Sequence, residues 1–172
     1  MPYQVTWWGI GNKSWSCGGN MTAEYYTDMH KRYTTFAHDY PGSPPLRKIV
    51  SGANSDGEQW TETCMKNIPL NQIWGITRYQ YILPTGNWNK KGPATGLGEY
   101  QYFSTLKNCL LMENIVARHA VIVNKYDSAK RVALLVDEWG AWTDVELGST
   151  PASSNSKTRC ATRWWLVPHS IF

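Results

Sequence analysis

Four apolar segments separated by helical segments constrain the fold of this 172-residue chain more than any other feature. They lie at residues 5–10, 48–50, 73–82 and 131–137, and each predicts a strand. The first reads as a short buried strand, and the last, RVALLVD, is apolar enough to be buried on both faces. Strands that alternate with helices predict a parallel sheet with right-handed crossovers. Since four such units are half of a (β/α)8 barrel, the sequence predicts an α/β fold that forms a partial TIM barrel.

Three helices are predicted between these strands. The first begins after Thr22, a good capping residue, and its apolar residues recur at helical spacing. Its apolar stripe comprises Tyr26, Met29, Tyr33, Phe36 and Tyr40. Asp56 is the predicted cap of the second helix, and the third extends from about Glu99 to Lys125. The apolar face of the third comprises Phe103, Leu106 and Leu110.

The formal net charge of +4 does not indicate a nucleic-acid-binding protein. Residues 152–172 hold three cations and no acid, and the rest of the chain has 14 cations against 13 anions. No apolar run approaches membrane-spanning length, and no charged segment followed by an apolar one resembles a leader. The sequence therefore predicts a cytoplasmic protein that binds neither nucleic acid nor membranes.

The cysteines and histidines do not predict a metal site. Cys17, Cys64, Cys109 and Cys160 lack the spacing of metal ligands, and we interpret them as reduced thiols of a cytosolic type of protein. His30, His38 and His119 lie in predicted helices, where we expect surface or packing roles. We therefore expect neither a metal nor a cofactor.

Polar residues follow three of the predicted strands. Asn12 and Lys13 come after the first strand, Tyr79 to Tyr81 lie near the end of the third, and Asp137 and Glu138 end the fourth. In a (β/α)8 barrel the chemistry takes place where strands end and loops begin. The loop PTGNWNKKGPATG, rich in residues that break regular structure, predicts a functional rim after the third strand.

These segments resemble the α-L-arabinofuranosidases of glycoside hydrolase family 51. The resemblance lies in WWGIGNKSWSCGGNMTAEYY, LPTGNWNKKGPATG, the Tyr126–Asp127 turn and VALLVDEWGAWTDVELGSTP, and it covers roughly residues 3–151. It implies that residues 1–151 are a partial catalytic barrel, about strands four to seven of the parent. It also implies a retaining hydrolase that releases terminal non-reducing α-L-arabinofuranosyl residues from hemicellulose oligosaccharides, and homo-oligomers among intact members.

The resemblance assigns roles to individual residues. Glu138, in DEWG, matches the family's nucleophile, and Asn12 matches an asparagine that binds a sugar hydroxyl. Tyr81 matches a tyrosine that supports the nucleophile, and Trp142 a tryptophan that lines the site. An ordinary solvated carboxylate at Glu138 and a turn-shaping role for Asn12 are the alternatives.

Lys13 departs from the family pattern, which reads GNE where this chain reads GNK. The acid/base must first donate a proton to the leaving oxygen and then accept one from water. A lysine with an ordinary pKa near ~10.4 is a poor donor and, when charged, no base. Pairing of its ammonium with Glu138 would make that carboxylate less nucleophilic. Tyr79 and Ile82 also depart, since the family has histidine and threonine there.

The tryptophans and the tail leave further alternatives open. Trp7, Trp8 and Trp74 are expected in the core, whereas Trp88 is equally consistent with packing and with a sugar platform. Residues 152–172 have no family counterpart; we interpret them as a frameshifted tail, with a genuine divergent C-terminus as the alternative. A non-catalytic carbohydrate-binding remnant is the competing function.

Overall fold

The computed structural model describes residues 5–145, which form an α/β fold with a four-stranded sheet in the order β1-β2-β3-β4. The strands are β1 (Trp7–Ile10), β2 (Arg47–Asn54), β3 (Gly75–Ile82) and β4 (Ala133–Ala141). The helices are α1 (Ala23–Phe36), α2 (Glu58–Asn67) and α3 (Glu99–Tyr126), with a 3-10 turn at Leu70–Gln72. β1 pairs with β2 and β2 with β3 in parallel. The predicted alternation of strands and helices is confirmed.

The described residues divide into two compact units. Residues 5–80 and 112–138 form the first unit, and residues 81–111 and 139–145 form the second. No helix in this part of the chain is long and apolar enough to cross a membrane. The predicted tail, residues 152–172, lies outside the described residues, so its interpretation stays a prediction.

Helix α1 begins as predicted, and only part of its apolar stripe is buried. The side chain of Thr22 accepts a hydrogen bond from the Tyr25 backbone N–H at 3.2 Å, which confirms the cap. The buried residues are Tyr26, Thr27, His30 and Thr34. Of the predicted stripe, Tyr33 and Phe36 are 57% and 71% exposed. Helical spacing of apolar residues thus identifies the helix, whereas the neighbouring elements decide which of those residues they cover.

Two expectations about helix ends are wrong, and the apolar face of α3 is exposed. Gly57, not Asp56, caps α2, and Asp56 forms an ion pair with Arg118 at 3.1 Å instead. The predicted face of α3 is exposed at Phe103, Leu106 and Leu110, whereas Ile115, His119 and Val123 are buried. His38 lies beyond the end of α1 and is exposed.

The two outer strands are more exposed than predicted. Trp7 and Trp8 in β1 are 56% and 50% exposed, so neither is a core residue. Val136 in β4 is 39% exposed. β1 and β4 lie at the two ends of the strand order, where each has a single neighbour among the described strands. A strand at the end of the order lacks the covering that an apolar run leads one to expect.

The hydrophobic core lies in the first unit, between the sheet and its helices. It comprises Tyr26, Val50, Ala53, Trp60, Cys64, Met65, Ile68, Ile73, Ile76, Val123 and Val132. β2 and β3 contribute Val50 and Ile76, which pair in register and are fully buried. This core fixes the strands whose carboxyl ends carry the predicted site residues.

A bulge interrupts β2 at Ser51 and Gly52, where the pairing with β3 shifts register between Val50 and Ala53. A Cβ at Gly52 would overlap the Thr77 carbonyl oxygen, so glycine is required for this close approach. The Gly52 N–H donates to the Thr77 hydroxyl at 2.9 Å, and the Gly52 carbonyl accepts from the Trp15 indole N–H at 3.0 Å. Side chains therefore satisfy the backbone groups of the bulge.

Candidate active site

Lys13 and Glu138 form an ion pair in the first unit. The Lys13 Nζ lies 2.6 Å from Glu138 Oε2, with side-chain exposures of 17% and 33%. Lys13 follows β1, and Glu138 lies near the carboxyl end of β4. The structure therefore brings together the positions predicted for the acid/base and the nucleophile. With limited exposure, this pair is screened less by water than a surface pair is.

The turn that carries Lys13 is tightly built. Lys13 has a φ of +46°, in the left-handed region that residues other than glycine seldom adopt. Its carbonyl accepts hydrogen bonds from the N–H groups of Ser16 at 2.9 Å and Gly18 at 3.1 Å. Gly18 packs so closely on the Asn12 carbonyl that a Cβ would overlap it. Asn12 itself is exposed.

Tyr79 and Asp137 flank the ion pair within the first unit. The Lys13 Nζ lies 5.8 Å from the centre of the Tyr79 ring, within cation–π range. Burial raises the pKa of Tyr79, the hydrogen bond from Thr77 opposes this, and the Asp137 carboxylate adds to it. Partial burial and the Glu138 carboxylate raise the pKa of Asp137, while Lys13 opposes them. Tyr79 thus places an uncharged aromatic ring beside the Lys13 ammonium.

Three aromatic side chains contact one another in the second unit. Tyr81 and Trp142 meet edge to face with ring centroids 4.6 Å apart, and Trp88 lies 5.5 Å from Trp142 and 6.5 Å from Tyr81. Trp88 is 52% exposed, so it is not a core residue. The Trp142 indole nitrogen is buried without a hydrogen-bond partner. We call these three residues the aromatic cluster; the half-exposed ring of Trp88 is of the kind that packs on sugar rings.

Asp144 was not singled out from the sequence, yet it fixes the loop that carries Trp88. Its carboxylate accepts hydrogen bonds from the backbone N–H groups of Lys91 at 3.2 Å and Gly92 at 3.0 Å. The Asp144 N–H donates to the Gly92 carbonyl at 2.8 Å. The sequence held no signal for this contact, because an aspartate after a strand is usually a solvated turn residue.

Two of the histidines are buried in the first unit. Burial lowers the pKa of His30 to about 4, and its ring lies 3.3 Å from the Gln72 carbonyl. The His119 ring contacts the Thr61 hydroxyl at 2.8 Å. Both serve packing, one of the two roles expected for them.

The chain is similar in sequence and structure to known arabinofuranosidases. No protein-family model matches the chain. It is 39% identical to an intracellular exo-α-L-arabinofuranosidase of Bacteroides ovatus over 86% of its own length and 28% of that protein. A crystal structure of the family 51 arabinofuranosidase from Xanthomonas axonopodis pv. citri superposes with a TM-score of 0.82 and 38% identity, over 88% of this chain and 30% of that one. The predicted relationship to family 51 is confirmed.

An arabinose complex of the α-L-arabinofuranosidase from Thermotoga maritima shares the fold, with a TM-score of 0.64 and 23% identity over 85% of this chain and 27% of that one. The chain thus spans less than a third of the length of the arabinofuranosidases it matches. Its α/β sheet corresponds to part of their barrel, as predicted. The roles of Asn12, Lys13, Tyr81, Glu138 and Trp142 stay predictions.

Proposed function

We propose that this chain forms part of the active site of a retaining α-L-arabinofuranosidase, weakened by lysine at the acid/base position. The substrates would be hemicellulose oligosaccharides with terminal non-reducing α-L-arabinofuranosyl residues. Intact proteins of this type would act in the cytoplasm as homo-oligomers. The observation that carries the proposal is the direct contact of Lys13 with Glu138 at the ends of two strands.

The length of the two side chains supports this assignment of the two positions. In retaining enzymes the two carboxyl groups lie only ~5–5.5 Å apart. A lysine side chain is longer than glutamate by one bond, so in the same place it would reach a carboxylate at that separation. The 2.6 Å distance between Lys13 Nζ and Glu138 Oε2 agrees with this expectation.

Glu138 is proposed as the nucleophile. One carboxylate oxygen attacks the anomeric carbon, the bond from that carbon to the leaving oxygen breaks, and the electron pair goes to the leaving group. A covalent glycosyl-enzyme results, which water then hydrolyses. Asn12 would bind a sugar hydroxyl, Tyr81 would support the nucleophile, and Trp142 would line the sugar site.

Lys13 impairs both halves of this reaction. Its ammonium neutralises the Glu138 carboxylate and so lowers its nucleophilicity. As a charged group it cannot accept the proton of the attacking water, so the second half lacks a general base. The loss of a general acid/base typically costs ~10²–10⁴-fold in rate.

A non-catalytic carbohydrate-binding role is the second candidate. It is favoured by the same ion pair, which occupies the proposed nucleophile, and by the half-exposed ring of Trp88. Binding of arabino-oligosaccharide without turnover would support this function over hydrolysis.

The decisive experiment replaces the matching segment of the Bacteroides ovatus enzyme with residues 3–151, so that a full-length scaffold surrounds the proposed site. Lys13→Glu in this chimera should raise turnover of a natural arabino-oligosaccharide by ~10²-fold or more, because it restores the acid and the base. An aryl arabinofuranoside with a good leaving group should gain far less, since its departure needs little protonation.

Lys13→Gln is the matched control. It removes the ion pair without supplying an acid, so it should leave the natural substrate slow. Azide, which needs no base to attack the glycosyl-enzyme, should partly rescue the lysine and glutamine forms. An unchanged natural-substrate rate in the Lys13→Glu chimera would show that position 13 is not the acid/base position.

A further inference from the structure

The carboxyl end of β1 is held by a hydroxyl group from α1. Tyr26 Oη donates to the Ile10 carbonyl at 2.7 Å and accepts from the Ser51 backbone N–H at 2.6 Å. Tyr26 is only 2% exposed, and its ring stacks on Trp60 with centroids 5.3 Å apart. A single hydroxyl therefore joins the last residue of β1 to the bulge in β2.

The bulge is a fixed anchor. The Trp60 indole N–H donates to the Ser51 carbonyl at 2.9 Å, so both backbone groups of Ser51 are bound by aromatic side chains from α1 and α2. These rings belong to the core cluster and cannot shift without opening it. Whatever binds Ser51 is thereby tied to the most buried part of the molecule.

The turn that carries Lys13 is attached to this anchor on both sides. Ile10, three residues before Lys13, is bound through the Tyr26 hydroxyl. Ser14, the residue after it, is 1% exposed, and its N–H lies 3.4 Å from the Ser51 hydroxyl oxygen. The position of the backbone on each side of Lys13 is therefore fixed relative to Ser51.

The Tyr26 hydroxyl also lies 3.4 Å from His30 Nδ1, but its two short contacts are those with the Ile10 carbonyl and the Ser51 N–H. Burial raises the pKa of Tyr26 well above its usual range, so the phenol keeps its proton at every ordinary pH and remains a donor. If the hydroxyl is removed, a carbonyl and an N–H are left unsatisfied in a buried place. Those groups regain partners when the end of β1 moves away from the bulge.

We propose that Tyr26 is a positioning residue of the candidate site: through the Ile10 carbonyl and the Ser51 N–H, its hydroxyl sets where Lys13 lies relative to Glu138. This inference rests on the proposed function in so far as it takes these two residues as the site. The dependence of the ion pair on a hydroxyl from α1 can nevertheless be measured without any catalytic turnover.

The test measures how accessible the Lys13 amine is in the full 172-residue chain. Acetylation by an N-hydroxysuccinimide ester is followed by mass spectrometry of the Lys13 peptide and normalised to the exposed Lys66. In the parent chain the ion pair should keep Lys13 slow. Tyr26→Phe should accelerate it by roughly fivefold, the change in population that losing one typical net hydrogen bond allows. Glu138→Gln, which removes the carboxylate itself, sets the upper limit.

Thr27→Val is the matched control. Thr27 is also buried in α1, and its hydroxyl donates to the Glu24 carbonyl within the same helix at 2.7 Å. It should lower stability without changing the Lys13 rate. Equal Lys13 rates in Tyr26→Phe, Thr27→Val and the parent would overturn the proposal and leave Tyr26 a purely structural residue.

Hydrogen exchange of the Ser51 amide in the parent chain covers the case in which Tyr26→Phe does not fold. An amide held by the Tyr26 hydroxyl should exchange as slowly as that of the fully buried Val50, and exchange at the rate of an exposed amide overturns the proposal. The labelling involves no substrate. Failure of Lys13→Glu to restore hydrolysis would therefore overturn the proposed function alone, and an unchanged labelling rate the positioning role alone.

Discussion

The two units of the described chain are ordered by different means. The first unit holds the buried hydrophobic cluster, in which Val50, Cys64 and Ile76 have no exposed surface. Both units expose large apolar side chains, such as Phe36 at 71% in the first and Tyr100 at 80% in the second, but every residue of that cluster belongs to the first unit. The first unit is therefore stabilised mainly by burial of apolar surface, and the second depends more on other contacts.

Backbone hydrogen bonds supply part of that order. Besides Asp144, the second unit contains the Asn108 side chain, which donates to the Leu83 carbonyl at 3.1 Å, and the Trp142 N–H, which donates to the Ile82 carbonyl at 2.9 Å. Trp88 of the aromatic cluster is therefore carried by a hydrogen-bonded loop, whereas the Lys13–Glu138 pair is carried by a packed core.

The largest expected difference between the units concerns truncation of apolar side chains. Ile76→Ala in the first unit should lower the free energy of unfolding by ~2–5 kcal/mol, because it leaves a cavity in the core. Leu110→Ala in the second unit, where the side chain is already exposed, should stay within ~0.5 kcal/mol of the parent. Urea unfolding measures both. Similar losses for the two variants would contradict the division.

A second expected effect is the loss of stability of the first unit in acid through His30. Its folded pKa of about 4 lies below the ordinary value of 6.5, because burial disfavours the charged ring. As the pH falls, the unfolded chain therefore binds this proton first. The contribution of His30 is complete above pH ~6.5 and decreases as the pH falls towards 4, by a total of about 3 kcal/mol.

Unfolding free energies measured between pH 7 and pH 4 test this effect. His30→Asn cannot titrate, so it should flatten the profile in that window, although His119 adds a change of the same sign. An equal slope in the parent and in His30→Asn would show that His30 is not kept neutral by burial.

The smallest expected effect belongs to Asp144. Asp144→Asn replaces one of the two acceptor oxygens with a donor, so one of the N–H groups of Lys91 and Gly92 loses its partner. We expect a loss of ~1 kcal/mol, confined to the loop. Hydrogen exchange of at least one of these two amides should accelerate while that of Ile76 stays unchanged. Asp28→Asn, at an exposed position on α1, should change neither. Faster exchange at Ile76 as well would show that the units unfold together.

The elements were predictable from the sequence because their signals are local. The Thr22 cap, the alternation of strands and helices and the extent of α3 depend on residues within a few positions of one another. Burial was not predictable from the same signals. The exposed Tyr33 and Trp8 carry apolarity that no other described element covers, and a sequence pattern does not contain that information.

The candidate site divides in the same way. DEWG and GNK are contiguous motifs, so the sequence alone placed Glu138 and Lys13 at strand ends and revealed the relationship to family 51. Only the tertiary structure decided that the ammonium of Lys13 lies 2.6 Å from the carboxylate of Glu138, because these two residues are 125 positions apart in the chain. The bulge at Ser51, and the hydrogen bond from its N–H to the Tyr26 hydroxyl, likewise depend on packing between elements. Hydrogen bonds that link distant segments leave no periodic pattern in the chain that forms them.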